Sequence, residues 1–301
     1  MEASRHPGLP EAQALGARLP ALLVAADRVA ATVAQGVHGR RRAGMGDSFW
    51  QYRQALPGEP ASRIDWRQSA RSSRAFVRET EWEAAQSVYL WHDPSASMRW
   101  RSRATLPLKG ERAELLLLAL ASLLLRGGEH VRLLSGAGRG ARVSGQGGLQ
   151  RLAAELVLRA DREPGETGLP SAATELPRHA RLVLFSDMLT EPAAIETLFG
   201  RLSAIPVGCT VLQILDPAEL SLPYEGRVRF EGMEGEASIL TPRAQDLGAA
   251  YEAAITGHQE RLATLCAGAG FGLTRHRTDE TPQSALLTLH QVRNPLGSAA
   301  R

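Results

Sequence analysis

The run Arg181-Leu182-Val183-Leu184-Phe185-Ser186-Asp187 is apolar at consecutive rather than alternate positions and stops on an acid. A segment this short and this uniformly apolar suits a parallel strand covered by helices on both faces. Two further runs behave alike. Residues 88–91 lead into His92-Asp93, and residues 209–215 into Asp216-Pro217. Between them lie helical patterns over 111–126, closed by Gly127-Gly128 in the manner of a C-terminal cap, over 150–158 and over 192–204. This alternation predicts the α/β class: a mostly parallel sheet with helices on both faces. Ligands of such folds bind beyond the carboxyl ends of the strands, where the strand order reverses. Asp93 and Asp187, both at strand ends, are therefore the first candidates for function.

The rest of the chain keeps the same rhythm. A strand is expected at 130–134, a Gly-rich loop or hairpin at 136–148, and a hairpin at 227–240 around Met233-Glu234-Gly235. A long helix over 245–267, a last strand at 272–276 and a helix over 282–291 follow, with a frayed tail at 294–301. Near the N-terminus, Leu15, Leu19, Leu22, Leu23, Ala26, Val29 and Val33 recur at spacings of three and four. They predict an amphipathic helix over 11–35, interrupted at Pro20.

Composition excludes several classes. The 35 basic residues, all Arg except Lys109, are interleaved with 32 acids for a net charge of +3, and aromatics make up 5%. A nucleic-acid binder concentrates its basic surplus on one face and adds stacking aromatics. Cys209 and Cys266 lie far apart without ligand spacing and read as buried thiols in a reducing compartment. The most apolar run, 115–125, is 11 residues between Glu114 and Arg126, too short to cross a bilayer. No apolar secretory core follows Met1. A cytoplasmic location is the expectation.

The acid at residue 93 has company. Asp93-Pro94-Ser95-Ala96-Ser97 places one carboxylate and two hydroxyls within five residues at a strand-to-loop transition. Mg²⁺ prefers oxygen ligands in near-octahedral geometry and keeps waters where carboxylates are few, so this donor set suits it. A strand ending in an ordinary polar turn is the competing reading. His92 projects to the side of the strand opposite Asp93.

An unusual stretch precedes this strand. Gly44-Met45-Gly46-Asp47-Ser48-Phe49-Trp50-Gln51-Tyr52-Arg53, then Pro57-Gly58-Glu59-Pro60, then Arg63-Ile64-Asp65-Trp66-Arg67-Gln68-Ser69-Ala70-Arg71 concentrate Trp and Arg. Arg63, Arg67, Arg71, Arg74 and Arg78 recur at spacings of 4, 4, 3 and 4, which would put them on one face of a helix, but the alternation from Phe76 onward marks a change to strand. Arginines among aromatics and acids serve as structural clamps or as a partner-binding surface.

Together with the D-P-S-A-S-M that follows, this stretch resembles the bacterial "domain of unknown function 58" family, closely along 44–98 and more weakly through 216–280. The resemblance implies a von Willebrand factor A-like fold and association with MoxR-type AAA+ ATPases. It divides the chain into an N-terminal helix and Trp/Arg-rich segment (1–83) packed on a von Willebrand A-like domain (84–293), with the tail at 294–301. It also implies a metal-ion-dependent adhesion type of site built from Asp93, Ser95, Ser97, Thr167 and Asp187. Thr167 lies in Gly165-Glu166-Thr167-Gly168-Leu169-Pro170-Ser171-Ala172, which is similar to the G-x-T-x-L-x-x-A loop of such domains; Thr174 is the alternative threonine. Asp187 matches the third acid, and Met188 stands where many members carry Gly. The function implied is non-enzymatic: Mg²⁺, or Mn²⁺ in its place, held so that a partner's Asp or Glu completes its coordination. A metal-dependent hydrolase, and a scaffold with a vestigial site, are the alternatives.

Overall fold

A computed structural model describes residues 9–38, 49–54, 64, 66–71, 74–80, 87–135, 138–140, 142–145, 147–160, 168–171, 174–233 and 236–293. Thr167, the segment 44–48, Trp82 and the tail 294–301 lie outside the described residues. The main sheet has six strands in the order β10-β7-β6-β3-β4-β5. These are β3 (Ser87–His92), β4 (His130–Ser135), β5 (Gly138–Arg139), β6 (Arg181–Ser186), β7 (Gly208–Leu215) and β10 (Gly272–Arg277). Five pair in parallel, and only the short β5 runs antiparallel, at one edge. The α/β expectation from uninterrupted apolar runs is met.

Side-chain alternation along each strand divides the core. Val88 and Leu90 of β3, and Val183 and Phe185 of β6, face helices α1 (Leu9–His38), α3 (Lys109–Arg126), α4 (Gly148–Ala160) and α8 (Pro282–Arg293). Tyr89, Trp91, Leu182 and Leu184 face the other way, onto α5 (Pro192–Ser203) and α7 (Gly248–Ala269). Because both faces are covered, the central residues of β3 and β6 are apolar at consecutive positions, and all of them are buried. Helix α3 is nearly an all-apolar cylinder, from Leu115 to Leu125, because it is wedged between the sheet and α1.

Helix α1 runs unbroken through Pro20, so the expected interruption does not occur. Proline deletes one N–H donor and crowds the preceding turn, at a cost of about 3 kcal/mol in a helix interior. The burial of Ala26, Val29, Ala30 and Val33 against the core offsets this. Asp27 adds a polar latch, its Oδ1 accepting hydrogen bonds from Ser122 Oγ at 2.7 Å and Arg126 Nη2 at 3.0 Å on α3.

Before the sheet, β1 (Phe49–Gln54) and β2 (Phe76–Thr80) form an antiparallel pair flanking the four-residue helix α2 (Trp66–Ser69). The expected change from short helix to strand near residue 75 is present. Trp66 and Arg67 on α2 are exposed. Beyond β7, the short helix α6 (Ala218–Ser221) and the hairpin β8 (Val228–Phe230) with β9 (Ile239–Thr241) precede α7. Helix α6 was not foreseen. Among the described residues, no helix is long and apolar enough to cross a membrane.

Candidate functional site

The chain enters the sheet at β3, steps to β4 on one side, and then returns to place β6 on the other side of β3. Strand order therefore reverses between β3 and β6, and the crevice at their carboxyl ends is where this fold accommodates ligands. His92 pairs with Phe185 in register, and the Asp93 N–H extends the ladder by donating to Phe185 O at 3.0 Å. Asp93 and Asp187, 94 residues apart in sequence, thus emerge side by side.

Hydrogen bonds fix the polar cluster that results. Asp93 Oδ1 accepts the Ser95 N–H at 2.8 Å, folding the loop back on the acid, and Asp93 Oδ2 accepts Ser186 Oγ–H at 2.6 Å. Ser97 Oγ donates to Asp187 Oδ2 at 2.7 Å and lies 3.0 Å from Ser95 Oγ. A hydroxyl has one proton. Ser97 spends it on Asp187, so Ser95 is the donor in the serine pair. Asp93, Ser95 and Asp187 are buried, and Ser97 and Pro94 are partly exposed, so the cluster opens at the serine loop. Burial, then the neighbouring Asp187, pushes the Asp93 carboxyl up to about 6.

The turn that presents Asp187 is braced from several directions. Met188 adopts φ +53°, which non-glycine residues rarely do, and this explains why glycine is suited to the position. Its N–H donates to Ser186 Oγ at 2.9 Å, and its carbonyl accepts from His258 Nε2 on α7 at 2.6 Å. Leu189 N–H donates to Asp187 Oδ1 at 3.0 Å, and Gln213 Nε2 on β7 donates to the Asp187 carbonyl at 3.1 Å. The Met188 side chain is fully buried, which offsets the backbone strain.

Two further participants had no sequence argument behind them. Lys109, at the start of α3, is fully buried and donates from Nζ to Asp187 Oδ2 at 2.8 Å and to Glu219 Oε1 on α6. Glu219 in turn accepts the Asp216 N–H at 2.8 Å through Oε2. Burial opposes the ammonium, but the carboxylates of Asp187 and Glu219 more than reverse that and hold its pKa above the ordinary value. Burial raises Glu219 as well, against the pull of Lys109. Asp216, the acid ending β7, serves backbone instead: it accepts the neighbouring Ala218 N–H and, from 114 residues away, the Ser102 N–H, each at 2.9 Å.

Of the residues expected at the site, Asp93, Ser95, Ser97 and Asp187 come together. Thr167 is outside the described residues, but its successor Gly168 lies against Asp93: a Cβ there would stand 2.9 Å from Asp93 Oδ2 and 3.0 Å from Thr190 Oγ1. Thr174 is elsewhere, lining a cavity of about 470 Å³ with Leu134, Pro170, Leu198 and Leu202. His92 points away as expected, its Nε2 lying 3.3 Å from Gly110 O. Among the described residues no three His, Cys, Asp or Glu side chains gather as a metal cluster. The crevice offers two carboxylates and two hydroxyls instead, a hard-oxygen set that fits Mg²⁺ and leaves positions for water.

No curated protein matches the chain. Two solved structures show a remote likeness. One is the crystal structure of conserved hypothetical protein BatB from Bacteroides thetaiotaomicron, at 12% identity over 71% of this chain and 100% of that one, with a TM-score of 0.40. The other is an uncharacterized membrane spanning protein from Vibrio fischeri, at 14% identity over 71% and 98%, with a TM-score of 0.18. Both superpose too loosely to inform this fold. The family described as "Protein of unknown function DUF58" matches residues 51–261, well over half of the sequence, and the chain belongs to that family.

Proposed function

We propose that this protein is a non-enzymatic interaction module, von Willebrand A-like in its main domain, whose Asp93, Ser95, Ser97 and Asp187 hold Mg²⁺ with Thr167 completing the set. A partner's Asp or Glu is the outside ligand. The reading extends to an adaptor role beside a MoxR-type AAA+ ATPase in the assembly or maturation of protein complexes, the ATPase supplying the energy. The observation that carries it is the meeting of the D-x-S-x-S loop with Asp187 at the strand-order reversal, sealed by Ser97 Oγ on Asp187 Oδ2 at 2.7 Å.

Bound Mg²⁺ supplies an electrophilic coordination position that stays strongly positive where few carboxylates touch it. The chain's own residues prepare that position. Ser97 keeps its proton on Asp187 and Ser95 gives its proton to Ser97, so both hydroxyls keep lone pairs for a cation. Asp93, clamped by Ser95 N–H and Ser186 Oγ–H, holds the loop and contributes charge from behind. A hydrolytic role would need a base positioned on water, and His92 is directed at Gly110 O instead.

One observation favours a second reading, a scaffold whose site works without metal: the Lys109 ammonium already rests on Asp187. Calorimetric titration of the protein with MnCl₂, and capture from extract of the source cell in Mg²⁺ and in EDTA, separate the two. Saturable 1:1 binding competed by Mg²⁺, with an AAA+ ATPase captured only in Mg²⁺, supports the metal-bridged module. Absence of Mn²⁺ binding at millimolar concentration, with capture equal in both buffers, overturns it in favour of the scaffold.

The close approach at Gly168 gives a sharper check. Asp93 cannot retreat from a new Cβ without breaking its bonds to Ser95 or Ser186. Gly168→Ala is expected to weaken Mn²⁺ binding about 10- to 100-fold, the usual effect of disturbing groups that orient ligands, with little change in the far-ultraviolet circular dichroism. Unaltered affinity would show that Asp93 does not set the geometry of the site.

A further inference from the structure

We propose that Lys109 is a built-in cation that competes with a divalent ion for Asp187 and so sets how weakly the site holds metal; this rests on the metal-site reading above. Three observations carry the proposal. The Lys109 side chain has no exposure to solvent, and its Nζ sits 2.8 Å from Asp187 Oδ2, the same oxygen that receives the Ser97 hydroxyl at 2.7 Å. The ammonium is balanced on its other side by Glu219, itself tied to the Asp216 backbone and, through its carbonyl, to the Tyr251 hydroxyl at 2.9 Å. And the residue is the one lysine in a chain whose other basic residues are all arginine.

The choice of lysine has a physical reason. An ammonium is a compact point charge that fits between two carboxylates, whereas a guanidinium is a planar fork needing flat, bidentate partners. A positive charge on a metal-facing carboxylate repels a divalent ion within a few ångströms, and in a buried setting water screens that repulsion poorly. Asp187 is consequently shared. Weak metal retention leaves the ion dependent on an outside carboxylate, which makes occupancy of the site conditional on the partner. Glu219 acts in the opposite sense: by drawing the ammonium toward α6, it eases the competition. Both are positioning residues, since neither needs to touch the ion.

The test is the titration of the full chain with MnCl₂ alone, by calorimetry and by electron paramagnetic resonance of free Mn²⁺. It compares wild type, Lys109→Met, Glu219→Gln and the double variant Lys109→Met/Glu219→Met, with thermal melts as a control for folding. The double variant replaces the buried pair by apolar side chains of similar size, a change that folds tolerate better than removing one charge. Lys109→Met and the double variant are expected to bind Mn²⁺ at least tenfold more tightly than wild type, and Glu219→Gln more weakly, an opposition of sign that a merely structural role does not produce. If wild type binds no Mn²⁺ but either lysine-free variant does, the competition holds and the reading of a metal-loaded wild type fails. If wild type binds and the folded lysine-free variants bind equally or less tightly, the competition is overturned and the metal site stands. Absence of binding in every protein overturns both.

Discussion

Asp93→Asn is expected to abolish Mn²⁺ binding and, in EDTA at pH 8, to leave the protein more stable than wild type. Loss of binding follows from charge: the variant removes the carboxylate that anchors the serine loop and faces Asp187 across the crevice. The gain in stability follows from burial. Asp93 is about 1% exposed, and its carboxyl is shifted from 3.8 to about 6, which means that the fold disfavours the charged form. A folded-state pKa above the unfolded one penalises an acid once the pH exceeds the folded value, and the penalty vanishes below the unfolded value. Two units correspond to about 3 kcal/mol at the upper limit. An amide keeps an oxygen for the Ser95 N–H and meets Ser186, whose hydroxyl can turn to accept, so most of that relief survives. Chemical denaturation in EDTA should show the variant ahead by about 1–3 kcal/mol at pH 8 and level with wild type at about pH 3, below the unfolded value. In saturating Mn²⁺ the order at pH 8 reverses, because only wild type gains from ligand linkage. Persistent Mn²⁺ binding by the variant would remove Asp93 from the site.

What the sequence discloses and what it conceals follow from the range of the interactions. Runs such as 181–187 announce buried parallel strands because a strand covered on both faces has no polar alternation to blur it, and the acids that end them mark the crevice. Asp93, Ser95 and Ser97 are local and legible as a loop. Lys109 is not: it reaches Asp187 from 78 residues away, and only the fold brings the start of α3 to that edge. Its status as the sole lysine was a compositional signal with no location attached. Ser186 reads as the last residue of a strand, yet its hydroxyl serves Asp93 on the neighbouring strand. Glu219 sits on a helix of four residues, too short for any periodicity to show. At Pro20 the cost of proline within its own turn is outweighed by the core that α1 joins. The φ of +53° at Met188 has no local signal either, since a buried methionine side chain gives no hint of a left-handed backbone.

Phe185→Ala separates the fold from the site that it carries. Phe185 is fully buried on the face of β6 that meets α1, α3, α4 and α8, between β3 and β7 in register with His92 and Leu212. Removing a buried phenylalanine side chain costs its transfer free energy and leaves a cavity that helices on a sheet close only in part, typically about 3–5 kcal/mol. For a chain of this size each kcal/mol lowers the melting temperature by about 2–4 °C, so a fall of roughly 10 °C is expected. The contribution of residue 185 to the crevice is of another kind, because it is the backbone carbonyl, accepting the Asp93 N–H at 3.0 Å, that extends the β3–β6 ladder to the first acid. Alanine keeps that carbonyl. Mn²⁺ affinity measured well below the melting temperature is therefore expected to stay within about threefold of wild type, since the orienting hydrogen bonds of the site persist. A stability loss under about 1 kcal/mol would show that this face of the sheet is not close-packed. A parallel collapse of affinity would mean that Asp93 is placed by side-chain packing rather than by strand pairing, and the account of how the crevice assembles would have to move from the backbone ladder to the core beneath it.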